Sequence, residues 1–250
     1  MDFDYDTDFT EAHPKDASGN KLITYPHEVG PVTIAVQDGV VSSVIQKKIK
    51  NGRYESHEAK TIARIVGSDE ILLEIGAGVG VISSVAWLTQ KVREVHCYEA
   101  DPRLIPLLKS THEQNKVRGF VHNSILTDDE EMLRTGAVDF YIREHFYGNS
   151  TNRGVGREVA ETVRVPTERF AAALDKIRPT IIACDVEGGE LGLFDGASLS
   201  SVRKVMVETH QNSIGGGGMR RVFHAMHKGD FHYDERYSSG SVCVFSRIDD

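Results

Sequence analysis

The decapeptide "ILLEIGAGVG", Ile71 to Gly80, places glycine three times in five residues directly behind an apolar run and keeps Glu74 between the two. The apolar run reads as a buried strand, and "VGVISSVAWLTQ" after it reads as a helix. Gly76, Gly78 and Gly80 then occupy a strand-to-helix turn, where bare backbone permits a tight path and close approach of a ligand. The helix that follows offers unpaired N–H groups at its start. A pyrophosphate-binding loop favours G-x-G-x-x-G. Its third glycine would fall at position 81, which is valine, so the pattern here is E-x-G-x-G-x-G. Glu74 would also repel a pyrophosphate. A ligand carrying an ammonium and a sulfonium suits this loop better, and S-adenosylmethionine is such a ligand.

Working outward, "EVHCYEA" is a second strand ending in Glu99, a carboxylate placed to accept both hydroxyls of a ribose. "DPRLIPLLKSTHEQN" is a helix with Asp101 as its cap and Pro102 at its first position. "GFVHNSI", "PTIIACD" and "VRKVMVETH" are further strands, "TERFAAALDKI" is a helix capped by Thr167, and Glu190 to Leu199 is expected to be helical. "MRRVFHAMHKGDF" is a last helix, and "HYDERY…SVCVFSRI" is a terminal hairpin. Between them, "VDFYIRE" and "ETVRVP" are expected to pair around the polar loop 144–157, a candidate substrate lid with Arg143, Arg153 and Arg157 beside it. Near the start, "PVTIAV" and "VVSSVI" flank Gln37-Asp38-Gly39 and are expected to form a hairpin, followed by a helix in "SHEAKTIARIVG". Strand–helix alternation implies a parallel sheet covered on both faces, with ligands outside the carboxyl ends of its strands.

Two domains of unequal size are expected: an acidic arm with a hairpin extension over residues 1–52, and a catalytic domain over 53–250. The 250 residues carry 40% hydrophobic and 26% charged side chains, with a net charge of -8. That charge argues against nucleic acid as partner, since such binding needs clustered Lys and Arg, and "QKKIKNGR" reads as a solvated helix end. No apolar run is long enough for a membrane span, and no secretory signal opens the chain. Cys97, Cys184 and Cys243 lie in separate apolar runs without CxxC spacing, so buried thiols in a cytoplasmic protein are expected. His224, His227 and Asp230 lack a companion acid motif, and no metal is expected.

Read together, "LLEIGAGVGVIS", "CYEADPRLIPLLKSTHEQN", "RVPTERFAAALD", "IIACDVEGGELGLFDGA" and "VMVETH" resemble, in order and spacing, the FkbM-type methyltransferases, class I enzymes that use S-adenosylmethionine. The resemblance covers about Tyr54 to His210, and "DVEGGE" is its most specific piece. It implies an α/β, Rossmann-like seven-stranded sheet whose last strand is antiparallel. It places Glu74, Gly76, Gly78 and Gly80 in the first cofactor motif, with Ala77 inside it. Glu99 falls on the ribose-binding acid with Ala100 beside it, Ser124 near the adenine, and Tyr54 and Glu55 in a short Tyr-Glu element. Asp185 and Glu187 fall in the D-x-E-G element. The family's usual D-x-G-A-N-x-G is altered here, Glu74 and Gly78 standing for its Asp and Asn.

The expected activity is O-methylation of a small hydroxylated metabolite or sugar, releasing S-adenosylhomocysteine. N- or carboxyl-methylation on the same fold is the alternative, and a nicotinamide-dependent oxidoreductase is a weaker one. His210, at the end of "VMVETH", is the candidate general base, with Asp185 and Glu187 orienting cofactor and acceptor. The strand-tip position favours a functional Asp185 over a helix cap, while His210 could equally be an ordinary polar residue at a loop start. The expected partner is a small-molecule acceptor, and a homodimer is left open.

Overall fold

The computed structural model describes residues 13–143 and 159–248. The acidic start up to residue 12 and the polar segment 144–157 with Arg153 and Arg157 lie outside the described residues.

The chain opens with β1 (Lys21–Tyr25) and β2 (Val32–Val36), paired antiparallel with Ile23 opposite Ile34. The early hairpin therefore forms one element before the Asp-Gly turn. "VVSSVI" runs instead into α1 (Ser43–Lys50), because Ser42 caps it: its Oγ accepts from the Ile45 N–H at 3.4 Å, and Ile45 and Ile49 bury one helical face. "QKKIK" is indeed part of this helix. α2 (Ser56–Ile65) buries Ala59, Ile62 and Ile65.

Strand and helix then alternate: β3 (Glu70–Ile75), α3 (Val81–Leu88), β4 (Val92–Tyr98), α4 (Ile105–Gln114) and β5 (Gly119–His122). α4 begins later than its sequence suggests. Asp101 closes a turn ahead of it, where its Oδ1 accepts the Arg103 N–H at 2.9 Å, and Pro106 sits in the helix's own first turn.

A small sheet interrupts the alternation. It contains β6 (Ile125–Thr127), β7 (Ala137–Arg143) and β8 (Val159–Arg169), with α5 (Glu130–Thr135) between the first two. β7 and β8 pair antiparallel, Val138 opposite Val165, as their alternation implies. β8 runs through Thr167, so α6 (Phe170–Ile177) starts three residues past the expected cap. Thr167 pairs with Ile125 of β6, and that long-range ladder outweighs the local capping preference.

The chain returns through β9 (Ile181–Cys184), β10 (Lys204–Glu208), α7 (Gln211–Lys228), β11 (Phe231–Tyr233) and β12 (Val242–Arg247). No helix forms over Glu190–Leu199; Gly192 and Gly196, at φ +85° and +79°, turn the chain out of it. α7 is kinked at Gly215.

The main sheet has seven strands in the order β5-β4-β3-β9-β10-β12-β11. Neighbours from β5 to β10 are parallel, while β12 runs antiparallel to both β10 and β11. This is the seven-stranded α/β architecture expected, with its last strand reversed. Two cores flank it. One packs β1, β2 and α1 to α4 on one face, through residues such as Ile34, Ile45, Ile62, Val85 and Leu107. The N-terminal hairpin therefore shares a core with the sheet. The other packs α6 and α7 through Phe170, Leu174 and Met226. Cys97, Cys184 and Cys243 are buried free thiols. Among the described residues no helix is long and apolar enough to cross a membrane.

Candidate active site

The parallel strands end on one side of the sheet, and a cleft of about 580 Å³ opens there. Its volume falls within the range of small-molecule sites. The strand order reverses between β3 and β9, which lie side by side in the sheet although α3, β4, α4, β5 and the small sheet separate them in sequence. The cleft sits where the fold rule puts ligands.

Nine of the expected site residues line it: Tyr54, Glu55, Gly76, Gly78, Glu99, Ala100, Ser124, Asp185 and Glu187. The glycine loop forms one wall. Gly76 has φ +84°, and a Cβ there would lie 1.7 Å from the Asp185 carbonyl oxygen. This glycine thus lets the β3 and β9 ends close on each other. Gly80 serves packing too, since its Cβ would meet Leu108 of α4 at 2.5 Å. Ala77 is buried in the same turn.

Glu99 is 7% exposed and braces the loop: its Oε2 accepts the Gly78 N–H at 2.7 Å and its Oε1 the Asp101 N–H at 2.7 Å. Burial pushes its carboxyl up to about 7, against the pull of those two hydrogen bonds. Asn123 fixes the strand end by donating to the carbonyls of Glu99 and Ala100, at 2.9 and 3.0 Å. The Ser124 hydroxyl is buried with no partner among the described residues.

Glu74 departs from expectation. It lies beneath the loop, where the Cys97 thiol donates to its Oε2 at 3.1 Å, and burial raises it to about 7. It borders not the main cleft but a neighbouring cavity of about 20 Å³, together with Glu55, Glu58, Asp185 and Glu208. Of these, Glu58 was missed from the sequence. Its spacing to Ile62 and Ile65, on the buried face of α2, was the available signal.

The tips of β9 and β10 carry the titratable centre. His210 Nε2 lies 3.5 Å from Asp185 Oδ1 and 3.5 Å from Glu187 Oε2, and Nδ1 lies 3.4 Å from Glu190 Oε1. Glu190 starts no helix. It is 1% exposed and clasps both strand tips, its Oε2 accepting the Gly188 N–H at 2.8 Å and its Oε1 the His210 N–H at 2.9 Å. Glu187 is held at φ +49° and Glu55 at φ +47°, the left-handed region that non-glycine residues rarely occupy outside special sites.

Burial opposes charge on the His210 ring. The hydrogen bond to Glu190 and the charges of Asp185 and Glu187 outweigh it, raising the pKa to about 9. Asp185 is driven well above the usual carboxylate range, first by burial and then by Glu208 and Glu55. The two groups act as one cluster: they hold a proton between them at neutral pH, and while Asp185 is ionised the His210 ring carries it. Atoms of Asp185, Glu208 and His210 lie within 4.8 Å of one another, so a positive charge is favoured here. His224 and His227 are on α7, away from this group.

A linkage prediction follows. His210 has a folded pKa of about 9 and an ordinary unfolded value of about 6.5. Its charge should stabilise the fold fully below about pH 6.5 and lose that contribution as pH rises through about 9. In urea melts the wild type should weaken across this window, and His210→Gln should show a flatter profile. Parallel profiles would mean that the ring is not held charged.

The cleft's other wall comes from the small sheet, through Leu126, Thr127, Met132 and Phe140. Nothing in the strand–helix pattern marks these as lining a site.

The family model of the TRM5/TYW2 methyltransferase domain matches residues 33–151, just under half of the chain. Comparison with curated proteins finds no match. Among solved structures, a protein of Streptococcus mutans described as a S-adenosylmethionine-dependent methyltransferase is 9% identical, with TM-score 0.51, covering 95% of this chain and 56% of its own. TYW2 of P. horikoshii in complex with MeSAdo is 13% identical, with TM-score 0.46, covering 90% and 69%. Trm5b of Pyrococcus abyssi is 10% identical, with TM-score 0.48, covering 91% and 57%.

Two expectations are corrected by these findings. The matching model is that of a different family from the FkbM-type enzymes. The exclusion of nucleic acid also falls, because the matching model is named for TRM5 and TYW2, which are tRNA methyltransferases. Net charge misled because it averages over the whole surface and says nothing of local patches. The fold and the cofactor expectation hold: the chain is a S-adenosylmethionine-dependent methyltransferase of class I architecture.

Proposed function

We propose that the protein methylates a nitrogen of an RNA base. The observation that carries this reading is the group of carboxylates Asp185, Glu187 and Glu208 at the strand tips, with Glu55 at the start of α2, beside a protonated His210. A base edge presents several N–H donors, and carboxylates are pure acceptors when ionised. A ring N–H is also far more acidic than a sugar hydroxyl, so a carboxylate of raised pKa suffices to take its proton. O-methylation of a small hydroxylated molecule would need a stronger base, and His210 is already protonated.

The residues fit the cofactor. The cleft is large enough, the partnerless Ser124 hydroxyl offers a polar group to a ligand, and Glu99 keeps unused acceptor capacity for a ribose. Tyr54, Gly78, Glu99, Ala100 and Ser124 would hold it, with Glu74 supporting the loop from beneath. S-adenosylmethionine supplies a methyl carbon activated by its sulfonium. The protein aligns the acceptor nitrogen and excludes water. As the acceptor nitrogen's lone pair takes the methyl, the C–S bond would break to leave S-adenosylhomocysteine, and the nitrogen's proton would pass to ionised Asp185, which His210 holds in place.

The test is to incubate the purified protein with radiolabelled S-adenosylmethionine and unmodified tRNA transcripts, then digest and identify labelled nucleosides by mass spectrometry. Label in a base-methylated nucleoside is expected. Label confined to the ribose, or to small molecules of a metabolite extract while RNA stays unlabelled, would overturn the reading.

A further inference from the structure

An RNA acceptor raises a problem of charge. The chain carries a net charge of -8 and the cleft is ringed by carboxylates, so a polyanion must be held elsewhere. A cluster around Tyr237 suits this. Three cations converge on Tyr237: Lys204 Nζ lies 4.4 Å from the ring centre, Arg64 Cζ 5.2 Å and Arg236 Cζ 5.6 Å. The ring attracts each of them, which gathers like charges that would otherwise separate. An Arg64 Nη2 hydrogen bond to the Arg236 carbonyl, at 3.0 Å, ties the group together.

Arg236 is committed: its guanidinium makes two bonds of 2.8 Å to Asp234, which is 1% exposed. Among the described residues Arg64 and Lys204 have no carboxylate within ion-pair distance, and neither does Lys60. Lys60 and His57 extend the cluster. With Arg64 they occupy positions 57, 60 and 64 of α2, one exposed face of that helix. The strip spans about 10 Å by helical rise. Its upper end adjoins Glu55, which lines the cleft. The acids nearest in the chain are Glu55, Glu58 and Glu208, which line the small cavity beside the cleft, while Asp234 next to Tyr237 is bound to Arg236 and Ser246.

We infer that His57, Lys60, Arg64 and Lys204 form a track for the phosphodiester backbone of the RNA acceptor, leading from the cleft rim along α2 to Tyr237. This rests on the proposed RNA acceptor and adds where the strand lies and which side chains hold it. Lys and Arg heads neutralise successive phosphates with release of counterions, so binding should be salt-dependent in proportion to the phosphates contacted.

The experiment compares the wild type with Lys60→Gln/Arg64→Gln/Lys204→Gln, using a fluorescently labelled tRNA transcript in anisotropy titrations at several salt concentrations. The triple variant should bind at least about tenfold more weakly, with a log–log salt slope shallower by about 2 (three contacts at roughly 0.7 each). Its affinity for S-adenosylhomocysteine and its melting temperature should match the wild type, and KM for RNA should rise with kcat little changed at saturation. Should the triple variant fold poorly, the exposed single change Lys60→Gln should still flatten the slope by roughly 0.7. Wild-type methylation of RNA with unchanged affinity and slope in the variants would overturn the track and leave the RNA reading standing. A wild type that neither binds nor methylates RNA would remove both.

Discussion

Gly76→Ala should destabilise the fold by at least about 3 kcal/mol and abolish binding of S-adenosylhomocysteine. Two costs combine. The residue sits at φ +84°, where a Cβ is strained by about 1–2 kcal/mol. That Cβ would also stand 1.7 Å from the Asp185 carbonyl oxygen, a backbone atom that cannot swing aside. The Asp185 N–H donates to the Ile75 carbonyl at 2.9 Å, so moving β9 away would tear the ladder on which both site walls depend. Gly136→Ala separates the two costs. Gly136 has φ +68° with nothing within 4 Å of its would-be Cβ, so its replacement should carry the strain alone. Urea melts of both variants decide the matter. An equal loss would mean that the β3 and β9 tips are not in the contact described.

Asp185→Asn should lower turnover by about 10²–10⁴-fold, the range for loss of general-base help. The amide keeps the shape and can still bond to a neighbour, but it cannot take the proton that leaves the acceptor nitrogen. Asp185 lines the cleft, and its Oδ1 is buried without a hydrogen bond, 3.5 Å from His210 Nε2. Affinity for S-adenosylhomocysteine should change much less than turnover, which separates proton transfer from cofactor binding. The acid limb of the kcat–pH profile should also vanish in the variant. Near-normal turnover would move the role to Glu187, and Glu187→Gln would then carry the loss.

Much of this protein was legible in one dimension because its signals are local. The apolar run into Gly76, Gly78 and Gly80 marks a strand-to-helix turn wherever it occurs, and Glu99 follows at the spacing of the next strand. Periodicity also located β7 and β8, since alternation needs only neighbouring residues. Where local signals compete, the sequence misled. Asp-Gly at 38–39 marked a turn, but whether Val40 to Ile45 becomes strand or helix depended on the Ser42 cap and on core space for Ile45 and Ile49. Thr167 is a fair cap, yet pairing with Ile125 kept it in a strand.

The chemistry of the site belongs almost wholly to the tertiary structure. Glu55, Glu58, Glu74, Asp185 and Glu208 come from four separate segments, and only the meeting of α2, β3, β9 and β10 gathers them. A histidine's protonation is likewise set by what surrounds it. In the sequence His210 is a residue poised near neutrality, and a base. In the fold three carboxylates approach it within 3.5 Å and favour its charged form, which is why Asp185 is the base in the proposed reaction. Composition fixed the net charge of -8, but distribution is a three-dimensional property. Lys60, Arg64 and Lys204 are scattered along the chain, and only the packing of α2 beside β10, with Tyr237 between their charged ends, makes them one surface.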